Sequence, residues 1–204
     1  MKQQVFYIHG ATSYSDYKTF LEDLKNEPVR DLPGSEHTKK WSSSLPEDLG
    51  ETYEVFTPSM PNSKNAKYEE WKIWFERYIP YLRDNLVLVG WSQGGYFLVK
   101  YLLENELLVS IKALFLIAAP FESDDFEGED GGDFAFEGSR VGELAERAQK
   151  IYLFHSKDDF VVPYEHALKY KKALPDAELV TFEDKNHFLI PEFPELLAKI
   201  KELS

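Results

Sequence analysis

Apolar and polar positions along this chain alternate between two periods, and the switching predicts strands interleaved with helices. Continuous apolar runs bounded by glycine, proline or charge read as strands buried on both faces. Leu86-Val87-Leu88-Val89, Ala113 to Ala118 and Ile151-Tyr152-Leu153-Phe154 have this form. Val5-Phe6-Tyr7-Ile8, Tyr53 to Pro58 and Ala177 to Phe182 read as further strands. Between them, apolar residues recur every three or four positions and predict helices. Tyr17, Phe20, Leu21 and Leu24 form one such stripe, with Ser15 placed to cap it. Tyr68, Trp71, Phe75, Tyr78 and Leu82 form a second, which reads as core packing rather than an aromatic ligand box. Helices are also expected from Tyr96 to Asn105, Gly142 to Gln149, Tyr164 to Leu174 and along Phe193, Leu196, Leu197, Ile200 and Leu203.

Two stretches break the pattern. Residues 26–50 carry Pro28, Pro33, Gly34, Pro46 and Gly50 amid charges, and read as a long surface insertion with room for one short helix. Residues 122–138 are dominated by acids, with no base between Lys112 and Arg140. Six strands with intervening helices and no internal repeat imply a doubly wound α/β sheet. At 204 residues the chain suits a single domain spanning 1–204.

Composition narrows the function classes. Hydrophobic residues at 43% and aromatics at 15% supply a full core and exclude wholesale disorder. The absence of cysteine excludes disulfides, thiolate metal sites and cysteine catalysis, and fits a reducing compartment. The opening Met1-Lys2-Gln3-Gln4-Val5 lacks a signal-peptide apolar stretch, and no segment approaches transmembrane length. A cytoplasmic location is therefore expected. A net charge of −13 argues against nucleic acid or an anionic membrane as partner, because both attract basic patches.

The candidate chemistry lies at strand ends, where a sheet of this kind opens its crevice. The third strand runs into Gly90-Trp91-Ser92-Gln93-Gly94, a Gly-x-Ser-x-Gly turn followed by helix. That context identifies a nucleophile elbow, with Ser92 at a helix N-terminus that favours developing negative charge. The plainer reading makes Ser92 only an N-cap. A serine nucleophile needs an adjacent base, itself oriented by a carboxylate. The other strand ends supply them: His9-Gly10-Ala11, then His155 with Asp158 and Asp159, then Asn186-His187. The chain order Ser, Asp, His is that of α/β-hydrolases. Asp158 and Asp159 compete for the carboxylate role. His187 is the candidate base, His9 belongs to the turn that places backbone donors, and His155 reads as a strand-end residue. His37 and His166 read as solvated surface positions.

The motifs Ile8-His9-Gly10, Gly90 to Gly95, Asp158-Asp159-Phe160-Val161-Val162-Pro163 and Asn186-His187-Phe188 resemble those of compact α/β-hydrolases typified by retinoblastoma-binding protein 9 and the bacterial YdeN proteins. The resemblance spans nearly the whole chain. It implies a three-layer α/β/α fold around a six-stranded, mainly parallel sheet in the order 2-1-3-4-5-6, a Ser-His-Asp triad, and neither cofactor nor metal. In such proteins the acid commonly stands four residues before a proline, which favours Asp159 over Asp158. The segments at 26–50 and 122–138 are longer than the resemblance implies.

The resulting expectation is a serine hydrolase, carboxylesterase-like, acting on a small acyl substrate through Ser92, His187 and Asp159. Backbone N–H groups of Ala11 and Gln93 would form the oxyanion hole. Trp91, Met60, Phe121 and Phe160 are expected to wall an apolar acyl pocket, although each also fits ordinary packing. Two alternatives come from other classes. One is a protein-interaction module on a hydrolase fold. The other, a dinucleotide-binding protein, lacks the Gly-x-Gly-x-x-Gly that should follow the first strand. Ester, thioester, amide and peptide substrates all remain open, and no protein partner is readable. The acidic stretch reads either as a solvated loop or as a flap whose Phe126, Phe134 and Phe136 cover the pocket while its acids repel anionic substrates.

Overall fold

The structure, a computed structural model, describes residues 1–29, 33, 39–121 and 131–203. Six strands form one parallel sheet: β1 (Gln3–Ile8), β2 (Tyr53–Phe56), β3 (Leu86–Trp91), β4 (Ile111–Ile117), β5 (Ile151–Ser156) and β6 (Glu178–Phe182). Their order is β2-β1-β3-β4-β5-β6, the order that the family resemblance implies. Because every pairing is parallel, all the carboxyl ends lie along one edge. Helices α1 (Tyr17–Asn26), α2 (Trp41–Leu49), α3 (Tyr68–Glu76), α4 (Gln93–Glu104), α5 (Glu165–Ala173) and α6 (Pro194–Lys201) connect the strands.

The continuous apolar runs are explained by burial on both faces of the sheet. Phe6, Ile8, Leu88, Leu114, Leu116 and Leu153 face α3, α4 and α5. Their neighbours Val5, Tyr7, Val89, Phe115, Ile117 and Phe154 face the opposite layer, where α2 and α6 contribute Trp41, Leu45, Leu196 and Ile200. Each large apolar side chain so buried stabilises the fold by about 1.5–3 kcal/mol relative to exposure. Helix α4, buried along nearly its whole length, is the element on which the elbow rests.

Several elements differ from the sequence-based expectation. Residues 41–49, inside the supposed surface insertion, are a core helix. Trp41, Ser44, Leu45 and Leu49 make a buried stripe that Pro46 and the serines disguise. Residues 30–32 and 34–38, His37 among them, lie outside the described residues. The N-cap of α1 is Asp16, whose carboxylate accepts the Thr19 N–H at 2.9 Å; Ser15 has no such role. No residue of α1 is fully buried: Tyr17, Leu21 and Leu24 are exposed, and Phe20 is half-buried against Tyr14. The stripe from Tyr68 to Leu82 divides into α3 and a short 3₁₀ turn (Ile79–Tyr81), since Pro80 cannot donate to a continuing helix. Gly138 to Glu146 forms 3₁₀ turns rather than the α-helix expected over Gly142 to Gln149, in keeping with two glycines that weaken an α-helix.

The acidic segment is corrected in part. Residues 122–130, including Phe126, lie outside the described residues. From Gly131 onward the chain is pinned to the body. Asp133 Oδ1 accepts the Tyr68 N–H at the start of α3, at 2.9 Å. The Lys100 ammonium donates to the Asp133 and Ala135 carbonyls at 2.8 and 2.9 Å. Phe134 is fully buried against Tyr68 and Trp71, and Phe136 packs on Tyr96 and Phe121. These phenylalanines are anchors in the core, not the underside of a flap. Among the described residues no helix is long and apolar enough to cross a membrane.

Candidate active site

The elbow begins with a backbone that few residues tolerate. Ser92 has φ 52° and ψ −121°, a conformation that non-glycine residues adopt only when their surroundings over-determine it. The surroundings do so here. The Ser92 N–H donates to the Ile117 carbonyl of β4 at 2.8 Å, while its own carbonyl accepts from Gly95 and Tyr96 in the first turn of α4. The flanking glycines permit this crossing of strand and helix. A Cβ on Gly90 would lie 2.6 Å from the Gly95 backbone, and one on Gly94 would run into the Ile8 carbonyl. Because Ser92 precedes α4, the N–H of Gln93 is one of the first-turn donors that a helix leaves without an internal partner.

Asp159 and His187 meet from two different loops. Asp159 follows β5, and its side chain is fully buried. Its Oδ1 accepts the N–H groups of Val161 and Val162, both at 2.9 Å, which fixes the carboxylate plane. His187 follows β6, and its Nδ1 lies 3.0 and 2.9 Å from the two carboxylate oxygens. An ionised carboxylate only accepts, so Nδ1 carries the proton and Nε2 is left with a lone pair. The turn holding His187 is itself strained, with Asn186 at φ 44° and Phe188 at φ 55°. Asp158, one position before the buried acid, is exposed and directed elsewhere: it accepts from the Ser156 hydroxyl and the Asn186 N–H. The Ser156 hydroxyl, then the Asn186 N–H, holds the Asp158 carboxyl below its usual range.

Ser92, His187, Ala11 and Gln93 line one cleft of about 260 Å³. No hydrogen bond joins Ser92 Oγ to His187 among the described residues; such contacts are commonly long in ligand-free sites and tighten around substrate. Of the residues expected to wall the pocket, Trp91 lines the cleft, together with Val161 and Val162. The other three lie elsewhere. Met60 is buried in the core and borders a different groove beside α1. Phe121 turns inward onto Tyr170 and Phe136. Phe160 points into solvent, 72% exposed. Each follows a strand end or flanks a motif residue, but none of the three lines the cleft with Ser92.

The remaining histidines are structural in their contacts. His9 donates from Nδ1 to the Gly10 carbonyl and accepts the Met60 N–H on Nε2, each at 2.8 Å, which braces the turn before Ala11. His155 is buried and donates from Nε2 to the Val162 carbonyl at 2.8 Å, with Asp159 Oδ2 3.7 Å away. Burial holds its imidazole below the usual pKa, against the opposing pull of the Val162 carbonyl and the Asp159 carboxylate. His166 is not a solvated position: it is 1% exposed and accepts the Phe121 N–H on Nδ1 at 2.7 Å. Among the described residues no three carboxylate or imidazole side chains converge as a metal site.

Sequence reasoning did not find the groups that hold the His187 turn. The Trp91 indole donates to the His187 carbonyl at 3.0 Å, and the Trp41 indole donates to the Phe188 carbonyl at 3.1 Å. Trp41 lies 147 positions from its acceptor, and no local pattern announces such a contact.

No protein-family model matches the sequence, and no curated protein sequence does. Solved structures do resemble it. The ydeN gene product of B. subtilis is similar with a TM-score of 0.76 at 20% identity, covering 99% of this chain and 98% of that one. A mutant of the meta-cleavage product hydrolase CumD from Pseudomonas fluorescens IP01 gives 0.65 at 15% identity, covering 98% and 90%. The monoacylglycerol lipase of Paleococcus ferrophilus gives 0.57 at 16% identity, covering 98% and 92%. With its strand order, its strained serine turn and these likenesses, the chain has the α/β-hydrolase fold.

Proposed function

We propose that the protein is a serine hydrolase that cleaves a carboxylic ester or related small acyl substrate through an acyl-enzyme. The observation that supports this reading is the buried Asp159 carboxylate bound through both oxygens to Nδ1 of His187, a residue that lines the same cleft as Ser92. That arrangement supplies a base with its lone pair on Nε2 and a nucleophile within the same crevice. His187 takes the Ser92 hydroxyl proton as Oγ attacks the acyl carbonyl, and Asp159 stabilises the imidazolium that forms. The backbone N–H groups of Gln93 and Ala11 hold the oxyanion. His187 then returns the proton to the leaving group and activates the water that releases the acid.

The cleft, at about 260 Å³, is smaller than the roughly 300–1,000 Å³ common for drug-sized ligands, which supports a short acyl group. An interaction module without chemistry gives no account of a buried carboxylate orienting an imidazole beside a strained serine. The reading also includes a small-molecule substrate rather than nucleic acid or membrane lipid surface, no cofactor or metal requirement, and a cytoplasmic location. A panel of nitrophenyl esters with graded acyl length tests it. Turnover greatest for two- to four-carbon acyl groups is expected; turnover of none of them would contradict the reading.

A further inference from the structure

The two backbone N–H groups just before His187 are held by side chains from the end of β5 and from the loop after it that carries Asp159. Ser156, the last residue of β5, is fully buried. Its hydroxyl donates to Asp158 Oδ1 at 2.5 Å and accepts the Lys185 N–H at 2.9 Å. The same Asp158 oxygen accepts the Asn186 N–H at 2.8 Å. We propose that Ser156 and Asp158 form a clamp that sets the position of His187 against Asp159, so that Asp158 is a positioning residue for the reaction. The proposal rests on the triad reading above and adds to it a role for the second carboxylate of the Asp158-Asp159 pair.

The turn needs such a clamp. Asn186 and Phe188, on either side of His187, both occupy left-handed backbone that non-glycine residues avoid unless held there. Carbonyls on one side of the turn are held by indoles: Trp91 binds that of His187 and Trp41 that of Phe188. Those anchors come from the elbow and from α2, so neither ties the backbone of the turn to the acid loop. The Ser156–Asp158 pair makes that backbone tie, because it joins Lys185 and Asn186 to the residue adjoining Asp159. Two neighbouring aspartates thus divide one task. Asp159 holds the ring, and Asp158 holds the chain that carries it.

The test compares wild type with Asp158→Ala, Asp158→Asn and Ser156→Ala in the full chain, reading kcat, KM, melting temperature and the downfield NMR signal of the His187 Nδ1 proton. Asp158→Ala is expected to lower kcat by about 10- to 100-fold with KM nearly constant, the scale of a small misplacement of a catalytic group. It should also shift or broaden the Nδ1 signal. Asp158→Asn should restore most of the lost kcat and the signal, because its amide oxygen still accepts from Asn186. Ser156→Ala should act in the same direction as Asp158→Ala, and the double variant should be no worse than the poorer single one, since the two act as a unit. Wild-type kcat and signal in Asp158→Ala overturn the proposal. So does a loss that Asp158→Asn shares in step with melting temperature. The Nδ1 signal decides the clamp even if the wild type turns over no ester, an outcome that would instead count against the hydrolase reading.

Discussion

The indole of Trp91 touches His187 twice: its ring lies 5.6 Å from the imidazole centroid, and its Nε1–H donates to the His187 carbonyl at 3.0 Å. The residue just before Ser92 therefore holds His187 in place, although Trp91 and His187 are 96 positions apart. Trp91→Phe keeps most of the ring contact and deletes the donor. A neutral hydrogen bond contributes about 0.5–1.5 kcal/mol, so kcat should fall by roughly 2- to 12-fold while KM changes little. Steady-state kinetics on a short ester checks this, and an unchanged kcat would remove Trp91 from the positioning of His187.

The carboxylates should separate sharply by substitution. Asp159→Asn keeps the volume but loses the charge and lets the imidazole choose the wrong tautomer, so kcat should drop about 10³-fold or more. Asp158→Asn leaves Asp159 bound to Nδ1 and should cost far less. Parallel kinetics on the two variants decides between them. A crippled Asp158→Asn beside an active Asp159→Asn would reverse the assignment.

Gly90 in the elbow and Gly50 after α2 should resist a side chain for different reasons. A Cβ at Gly90 meets backbone atoms of Gly95 at 2.6 Å, and neither strand nor helix can yield without moving the sheet. Gly90→Ala should therefore destabilise by about 2–3 kcal/mol or more, the upper range for overpacking. Gly50 also needs its unusual backbone, at φ 85°, but no atom lies within 4 Å of a Cβ there. Gly50→Ala should cost about 1–3 kcal/mol, from backbone strain without a clash. Urea midpoints measure both, and a smaller loss in Gly90→Ala than in Gly50→Ala would contradict the steric argument.

The fold was legible because its central strands are buried on both faces: Leu86 to Val89 and Ala113 to Ala118 have no polar position to confuse them with a half-exposed sheet. The serine turn was legible for a related reason, since Gly90 and Gly94 mark where backbones meet. What escaped notice was set by contacts distant in sequence. Helix α2 hides its stripe among Ser42, Ser43 and Pro46 and gains its identity only when Trp41 reaches Tyr7 and Phe193. The outward course of Phe160 and the inward course of Phe121 depend on loop direction, which no residue-type pattern encodes. His166 looked like surface because it sits among lysines and glutamates on α5, yet it is the acceptor that ends β4's following loop.

His155 should make stability pH-dependent. Burial depresses its folded-state pKa below the ordinary imidazole value, and it is the donor that holds the Val162 carbonyl. As pH falls through about 6.5, the unfolded chain takes up a proton at this position while the folded protein resists. The unfolded state then binds more protons, so stability falls as pH drops from neutrality toward the depressed folded value. The melting temperature should decrease from about pH 7.5 to 5.5, and His155→Gln, which keeps a donor for Val162, should flatten that slope. Identical slopes in both proteins would exclude His155 as its source.

The central claim is that Ser92 is the nucleophile, activated by His187. The most direct measurement is peptide mass spectrometry after reaction with a fluorophosphonate, which traps an activated serine as a stable adduct. Wild type should carry one adduct on Ser92, Ser92→Ala should carry none, and His187→Ala should label at least about 10³-fold more slowly, because nucleophile and base act as a unit. Labelling of Ser92→Ala at the wild-type rate, or an adduct on a different residue in the wild type, would contradict the account.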